Sequence, residues 1–254
     1  MTPSLSNINP KLQRANEHLD ALLSQISRFI QNNPPHVVIE EDQEDHLCIL
    51  KIYCPKIDTR FGIIVGEFAH NLRSSLDNLV WQLALSFTHN PNKHICFPVT
   101  ETNDADARKF IKSSTCGIHP EAIKLIETLQ PYNEGENFKQ NSLWKLHKLW
   151  NIDKHRVIPS VGTVLEINIP KGITPSEIEN HNGIFYIRMP ISVMTKMESA
   201  PHPRFDIHFG SEDDGLVLNY TDLRKIYTDI TVDIIPQFER FFSHSKSTNL
   251  SISL

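Results

Sequence analysis

"EFAHNLRSSLDNLVWQLAL", Glu67 to Leu85, is the stretch on which the fold turns. At a helical 100° per residue, Val65, Phe68, Leu72, Leu76, Leu79 and Leu83 gather within an arc of roughly 80°. That arc is the core-facing stripe of an α-helix. On the opposite side Arg73, Ser74, Asp77 and Trp81 fall within about 60° of His70. A plain solvent stripe favours Lys, Glu and Gln, whereas this one carries His, Arg, Asp and an indole that is seldom left fully in water. The spacing therefore predicts a helix covered on both sides, with its polar stripe in a cleft or in a seam against another helix.

The flanking sequence supplies the neighbours. "PKLQRANEHLDALLSQISRFIQN" predicts an amphipathic helix over Pro10–Asn32, which Pro34 and Pro35 terminate. "HVVIE" and "HLCILKIYC" flank the acidic "EDQED" and read as a β-hairpin with a solvated tip. The central helix follows over Thr59–Thr88, and "HNPNKHICFPV" reads as loop plus a short strand. "DADARKFIKSS" and "HPEAIKLIETLQ" read as short helices, and "PYNEGEN" as a loop. "NSLWKLHKLWNIDKHR" is a further helix capped by Asn141 or Ser142.

After Arg156 the texture changes. "VGTVLEINI", "IFYIRMPISVM", "RFDIHFG" and "GLVLN" are β-type runs separated by Pro, Gly and Asn. "TDLRKIYTDITVDIIPQFERFF" returns to helix, with a kink expected at Pro236. The order predicts an α+β fold, a helical bundle packed with an antiparallel β-sheet. One integrated domain is expected over 1–254. Its parts are helix-rich 1–156, strand-rich 157–220, a C-terminal helix over 221–242 and a flexible tail over 243–254.

A formal net charge of −5 gives no general attraction to nucleic acid, so any such binding must come from a local basic patch. The four cysteines, Cys48, Cys54, Cys96 and Cys116, form no CxxC pair and signal neither a zinc ribbon nor a redox dithiol. There is no secretory leader pattern at the start and no apolar run long enough for a bilayer. A cytoplasmic protein with reduced thiols and no membrane contact is expected.

The second helix carries an oddity of its own. Leu143, Leu146, Leu149 and Trp150 make an apolar face whose next position is Asp153. A carboxylate there needs a partner, and the planar fork of Arg73 is the expected one. Three readings of the seam are open. Arg73, Asp77 and Asp153 can form a buried ion network that registers the helices, with His70 a satisfied core histidine. Alternatively His70 or His155 is a general acid–base, with Asp77 orienting Arg73, while Lys154, Arg156 and Arg73 bind an anion such as phosphate. A metal site on His70, Asp77, Asp153 and His155 is the third, but no HExxH or HD dipeptide supports it, and no metal or cofactor is expected.

"GEFAHNLRSSLDNLVWQLA" together with "LWNIDKHR" resembles an uncharacterised group of bacterial proteins, which pair a GE-x-x-HNLRS-x-LD-x-L-x-WQL helix with a later N-x-DKHR. The matching residues run from Gly66 and Glu67 through Leu83, and from Asn151 through Arg156. A more distant likeness is to HEPN domains, helical bundles of which many are metal-independent ribonucleases. Their signature is an Arg followed by His across a dimer cleft. In this chain the corresponding position is Asn78, so His70 or His155 would have to substitute. The likeness implies a homodimer acting on RNA in a toxin or phage-defence setting, with His70, Arg73, Asp77 and His155 catalytic and Asp153, Lys154 and Arg156 binding substrate. It names no partner protein. The rival expectation is a non-catalytic binding or scaffold protein that uses the same residues for stability.

Overall fold

The structure, a computed structural model, describes residues 2–42, 44–89, 91–167, 177–181, 184–194 and 203–242. It is α+β, with seven α-helices and two antiparallel sheets among the described residues. Helix α1 spans Asn9–Asn32 and α2 spans Arg60–Phe87. Helices α3 (Ala105–Ser114) and α4 (Pro120–Thr128) are short, and α5 covers Ser142–His155. The side chain of Asn141 caps α5 by accepting from the Leu143 and Trp144 amides. A single-turn helix α6 (Ile191–Met194) and α7 (Tyr220–Thr228) complete the set. Past α7 the backbone widens into a π turn over Asp229–Ile234 and then tightens to 3-10 turns over Ile235–Phe241. Pro236 accounts for this, because it cannot donate to the carbonyl one turn back. The expected tail over 243–254 lies outside the described residues.

Strands β1 (His36–Asp42) and β2 (Leu47–Tyr53) form the expected hairpin. The strand-rich region supplies β3 (Ser160–Ile167), β4 (Glu177–His181), β5 (Ile184–Pro190), β6 (Pro203–Ser211) and β7 (Leu216–Leu218). These do not make one sheet. Strands β4 and β5 join the hairpin in the order β1-β2-β5-β4, whereas β3, β6 and β7 form a second sheet. Strand β4, "EIENH", carries four polar residues in five and gives no β-type run. The tail of "IFYIRMPISVM" turns into α6 after Pro190.

Two hydrophobic clusters result. On β2, Cys48, Leu50 and Ile52 alternate inward and pair across the ladder with Met189, Ile187 and Phe185 of β5. With Val193 of α6 they make a small cluster. The large cluster unites α1, α2, α5 and α7 with Phe205, Ile207 and Phe209 of β6 and Leu216 and Leu218 of β7. Helix α2 is its axis: 16 of its 28 residues are buried, including all six of the stripe read from the sequence. Trp81 is a departure, 38% exposed rather than covered. No helix among the described residues is long and apolar enough to cross a membrane.

Helix α5 runs antiparallel to α2, and its last turn and the chain just beyond it come closest at two glycines. A methyl group at Gly62 would collide with the Ile158 carbonyl oxygen, and one at Gly66 with the Asp153 carboxylate. Replacing glycine by alanine inside a helix otherwise favours folding by about 1 kcal/mol. Overpacking costs about 1–3 kcal/mol and is hardest to relieve against main chain. Gly62→Ala is therefore expected to lower the urea midpoint. An unchanged or raised midpoint would mean that the two helices do not approach as described.

Candidate functional site

The polar stripe of α2 divides along the helix axis into two environments. In the turns around Arg73 and Asp77 it is closed. Arg73 is 3% exposed. Its Nη2 donates to the Phe97 carbonyl at 2.5 Å, and its Nη1 lies 2.8 Å from Asp77 Oδ1. Asp77 Oδ1 in turn accepts the Phe97 amide at 2.9 Å. The i,i+4 pair thus grips both backbone groups of one residue. The Nη1–Asp77 approach is a charge contact rather than an aligned hydrogen bond, and Nε has no hydrogen-bond acceptor. The Trp150 ring, 5.3 Å from the guanidinium carbon, adds a cation–π contact, and Lys154 Nζ stands 3.2 Å from the same ring centroid.

This grip explains why the expected short strand around Phe97 does not form. The Cys96 amide donates to the Ser114 carbonyl. The buried amide of Gln130 donates to the Pro98 carbonyl and accepts from the Thr100 amide. Side chains mostly take the place of a neighbouring strand in satisfying this extended segment.

One to two turns nearer the N-terminus of α2, the stripe opens. A cavity of about 530 Å³ lies between α1, α2 and the end of α5. Arg14 and His18 line it from α1, Ile63, Gly66, Glu67, His70 and Asn71 from α2, and Asp153 and Val157 from the far side. His18 is 7% exposed, with Nδ1 3.3 Å from Glu67 Oε2. Burial holds its imidazole below the ordinary histidine range, against the pull of the Glu67 charge. Asp153 is half-buried beside Gly66. Burial raises its carboxyl above the ordinary range; the nearby His70 opposes this and Glu67 adds to it. Among the described residues Asp153 has no hydrogen bond or ion pair, whereas Asp77 has both.

The expected Arg73–Asp153 pair is absent, because each residue faces a different stretch of the seam. Of the residues singled out in the sequence, the cavity brings together His70 and Asp153. Arg73 and Asp77 belong to the Phe97 grip. Lys154 covers Trp150, and Arg156 pairs with Asp214 in the β6–β7 turn. His155 is exposed and does not line the cavity. His18 and Arg14 were not singled out. The signal for His18 is its place on the buried face of α1, with Ala15, Leu19, Leu22 and Ile26.

His147 was also passed over. Its Nδ1 is buried without a hydrogen-bond partner among the described residues. Burial, then the charges of Arg73 and Lys154, push its pKa down to about 4. Among the described residues no three His, Cys, Asp or Glu side chains stand together in a way that holds a metal ion. The chain matches no protein-family model, no curated protein and no solved structure.

Two outcomes follow from the closed half. Removing one member of a buried ion pair costs about 3–5 kcal/mol. Asp77→Ala, which strands the Arg73 guanidinium and the Phe97 amide, is expected to lose an amount of that order in urea denaturation. For His147, the folded value lies below the unfolded 6.5, so the unfolded chain protonates first as pH falls. Stability contributed by the neutral ring is complete above about pH 6.5 and is lost progressively down to about pH 4. Denaturation midpoints measured across that window should fall more steeply for wild type than for His147→Gln; parallel curves would exclude His147 as the cause.

Proposed function

We propose that the protein works at the cavity between α1, α2 and α5, by general acid–base chemistry on a small polar molecule. The observation that carries this reading is the convergence of two imidazoles and two carboxylates in one open cavity, with Asp153 making no hydrogen bond or ion pair among the described residues. His70 is exposed and lies beside Asp153 in charge range, so its ring can take or give a proton while the carboxylate supports the imidazolium. His18, more buried and leaning on Glu67, suits holding a substrate group.

RNA cleavage is the narrower form of this proposal, implied by the HEPN likeness. It requires cations at the phosphate. Arg73, Lys154 and Arg156 are engaged elsewhere, and among the described residues Arg14 is the one Lys or Arg in the lining. The charge of the cavity therefore favours a small molecule over RNA. A non-catalytic binding or scaffold role is the second reading, and the Phe97 grip supports it, since that half of the stripe serves stability. The cytoplasmic homodimer and the defence setting belong to the proposal through composition and resemblance alone.

The test incubates the protein in EDTA with pooled polar metabolites and, separately, with mixed RNA. Consumption is followed by mass spectrometry and by gel. Loss of a general acid–base typically costs about 10²–10⁴-fold in rate. His70→Ala, shown to be folded, is expected to lose turnover by about that factor. A folded wild type that consumes nothing in either pool would leave the binding role standing instead.

A further inference from the structure

The lining of the cavity is unbalanced in charge and divided in polarity. Its two carboxylates, Glu67 and Asp153, face one guanidinium, that of Arg14. Arg14 Nη1 is already 3.1 Å from Glu17 on the exposed side of α1, with its side chain 59% exposed. Burial lowers the proton affinity of His18 against the pull of Glu67, which favours hydrogen bonding over charge at that ring. Asp153 is the least satisfied group. It is half-buried, packed on the bare backbone of Gly66, and has neither a hydrogen bond nor a salt bridge among the described residues. The charge near it is the exposed His70 ring, which no hydrogen bond among the described residues ties to it. A partly desolvated carboxylate without a hydrogen-bond donor is costly, and a cation carrying N–H donors removes that cost. Beside the carboxylates, Ile63 and Val157 line the cavity with apolar side chains that are 48% and 50% exposed. They can cover a short aliphatic stem, as a Lys side chain's own methylenes are covered elsewhere in proteins.

We infer that the cavity binds a small alkyl cation, an alkylammonium or alkylguanidinium, with its nitrogen between Glu67 and Asp153 and its stem along Ile63 and Val157. The inference rests on the reading of this cavity as a ligand site, and names the class of molecule that site takes. The size agrees, since about 530 Å³ lies within the ordinary range for small-molecule sites. Phosphate and carboxylate ligands would meet Glu67 and Asp153 as like charges. Neutral analogues would leave Asp153 unpaired.

The experiment titrates the full chain with n-butylammonium and n-butylguanidinium, following the His18 and His70 ring protons by NMR. n-Butanol, n-butyrate and inorganic phosphate serve as neutral and anionic comparators. Saturable shifts at both rings with the cations, and none with the comparators, are expected. Asp153→Asn keeps the shape and removes the charge, and should weaken the dissociation constant by about tenfold or more, the equivalent of about 1.4 kcal/mol. Glu67→Gln, at a side chain 54% exposed, is the second variant should Asp153→Asn fail to fold, and the same direction is expected. Preferential shifts with phosphate or butyrate, no saturable shift with either cation, or unchanged affinity in the folded variants would overturn the inference. Cation binding without turnover of any metabolite keeps the inference and removes the catalytic reading. Turnover of a neutral or anionic molecule without cation binding does the reverse.

Discussion

An arginine cannot give up its charge inside a protein, so burying Arg73 dictates what must surround it. Desolvating one ion costs several kcal/mol, which only closely placed acceptors offset. Asp77 supplies the opposite charge from the same helix, and the Phe97 carbonyl supplies an acceptor from the segment that follows α2. Trp150 adds the face of its ring from α5. Three elements distant in sequence are thereby tied to one guanidinium. Because Asp77 also accepts the Phe97 amide, the tie fixes the direction of the incoming chain as well as its position. The extended segment at 95–100 can then lie on the bundle without a sheet.

The same constraint shapes the open half of α2. With Arg73 held against Trp150, the last turn of α5 is drawn toward the earlier turns of α2, where side chains are missing. Gly62 and Gly66 admit the Ile158 carbonyl and the Asp153 carboxylate at distances no other residue would allow. Asp153 thus reaches Gly66 without reaching Arg73. Two carboxylates on the same seam acquire opposite characters. Asp77 is consumed by the fold, and Asp153 is left facing a cavity. Small residues at one turn and a buried cation about two turns later are what separate stability from chemistry along a single helix.

The strands follow a different logic. Both sheets are antiparallel and short, and one covers the bundle with Phe205, Ile207 and Phe209 facing inward. The other is built on the β1–β2 hairpin and borrows β4 and β5 from beyond residue 160. Alternation along β2 and β5 places Leu50 opposite Ile187 and Cys48 opposite Met189, so one face of that sheet has its own apolar cluster. A period of two marks a strand and its buried face, but carries no information on which strand will lie beside it.

Local rules within the chain determined the helices, the hairpin and the α+β class. Apolar residues recur at helical spacing, prolines end α1, Asn141 caps α5, and an acidic turn joins β1 to β2. The stripe on α2 was legible for the same reason, since 100° per residue fixes where each side chain points around the axis. What surrounds the stripe at each level of that axis is a separate matter. It depends on which neighbour crosses there, and those neighbours come from α1, from the segment after α2 and from α5. Only the tertiary structure could therefore bury Arg73 and Asp77 against Phe97, leave His70 open beside Asp153, and bring in His18 from α1. The angle around a helix is a property of local sequence, whereas burial, charge balance and proton affinity are set by elements that meet only when the chain folds.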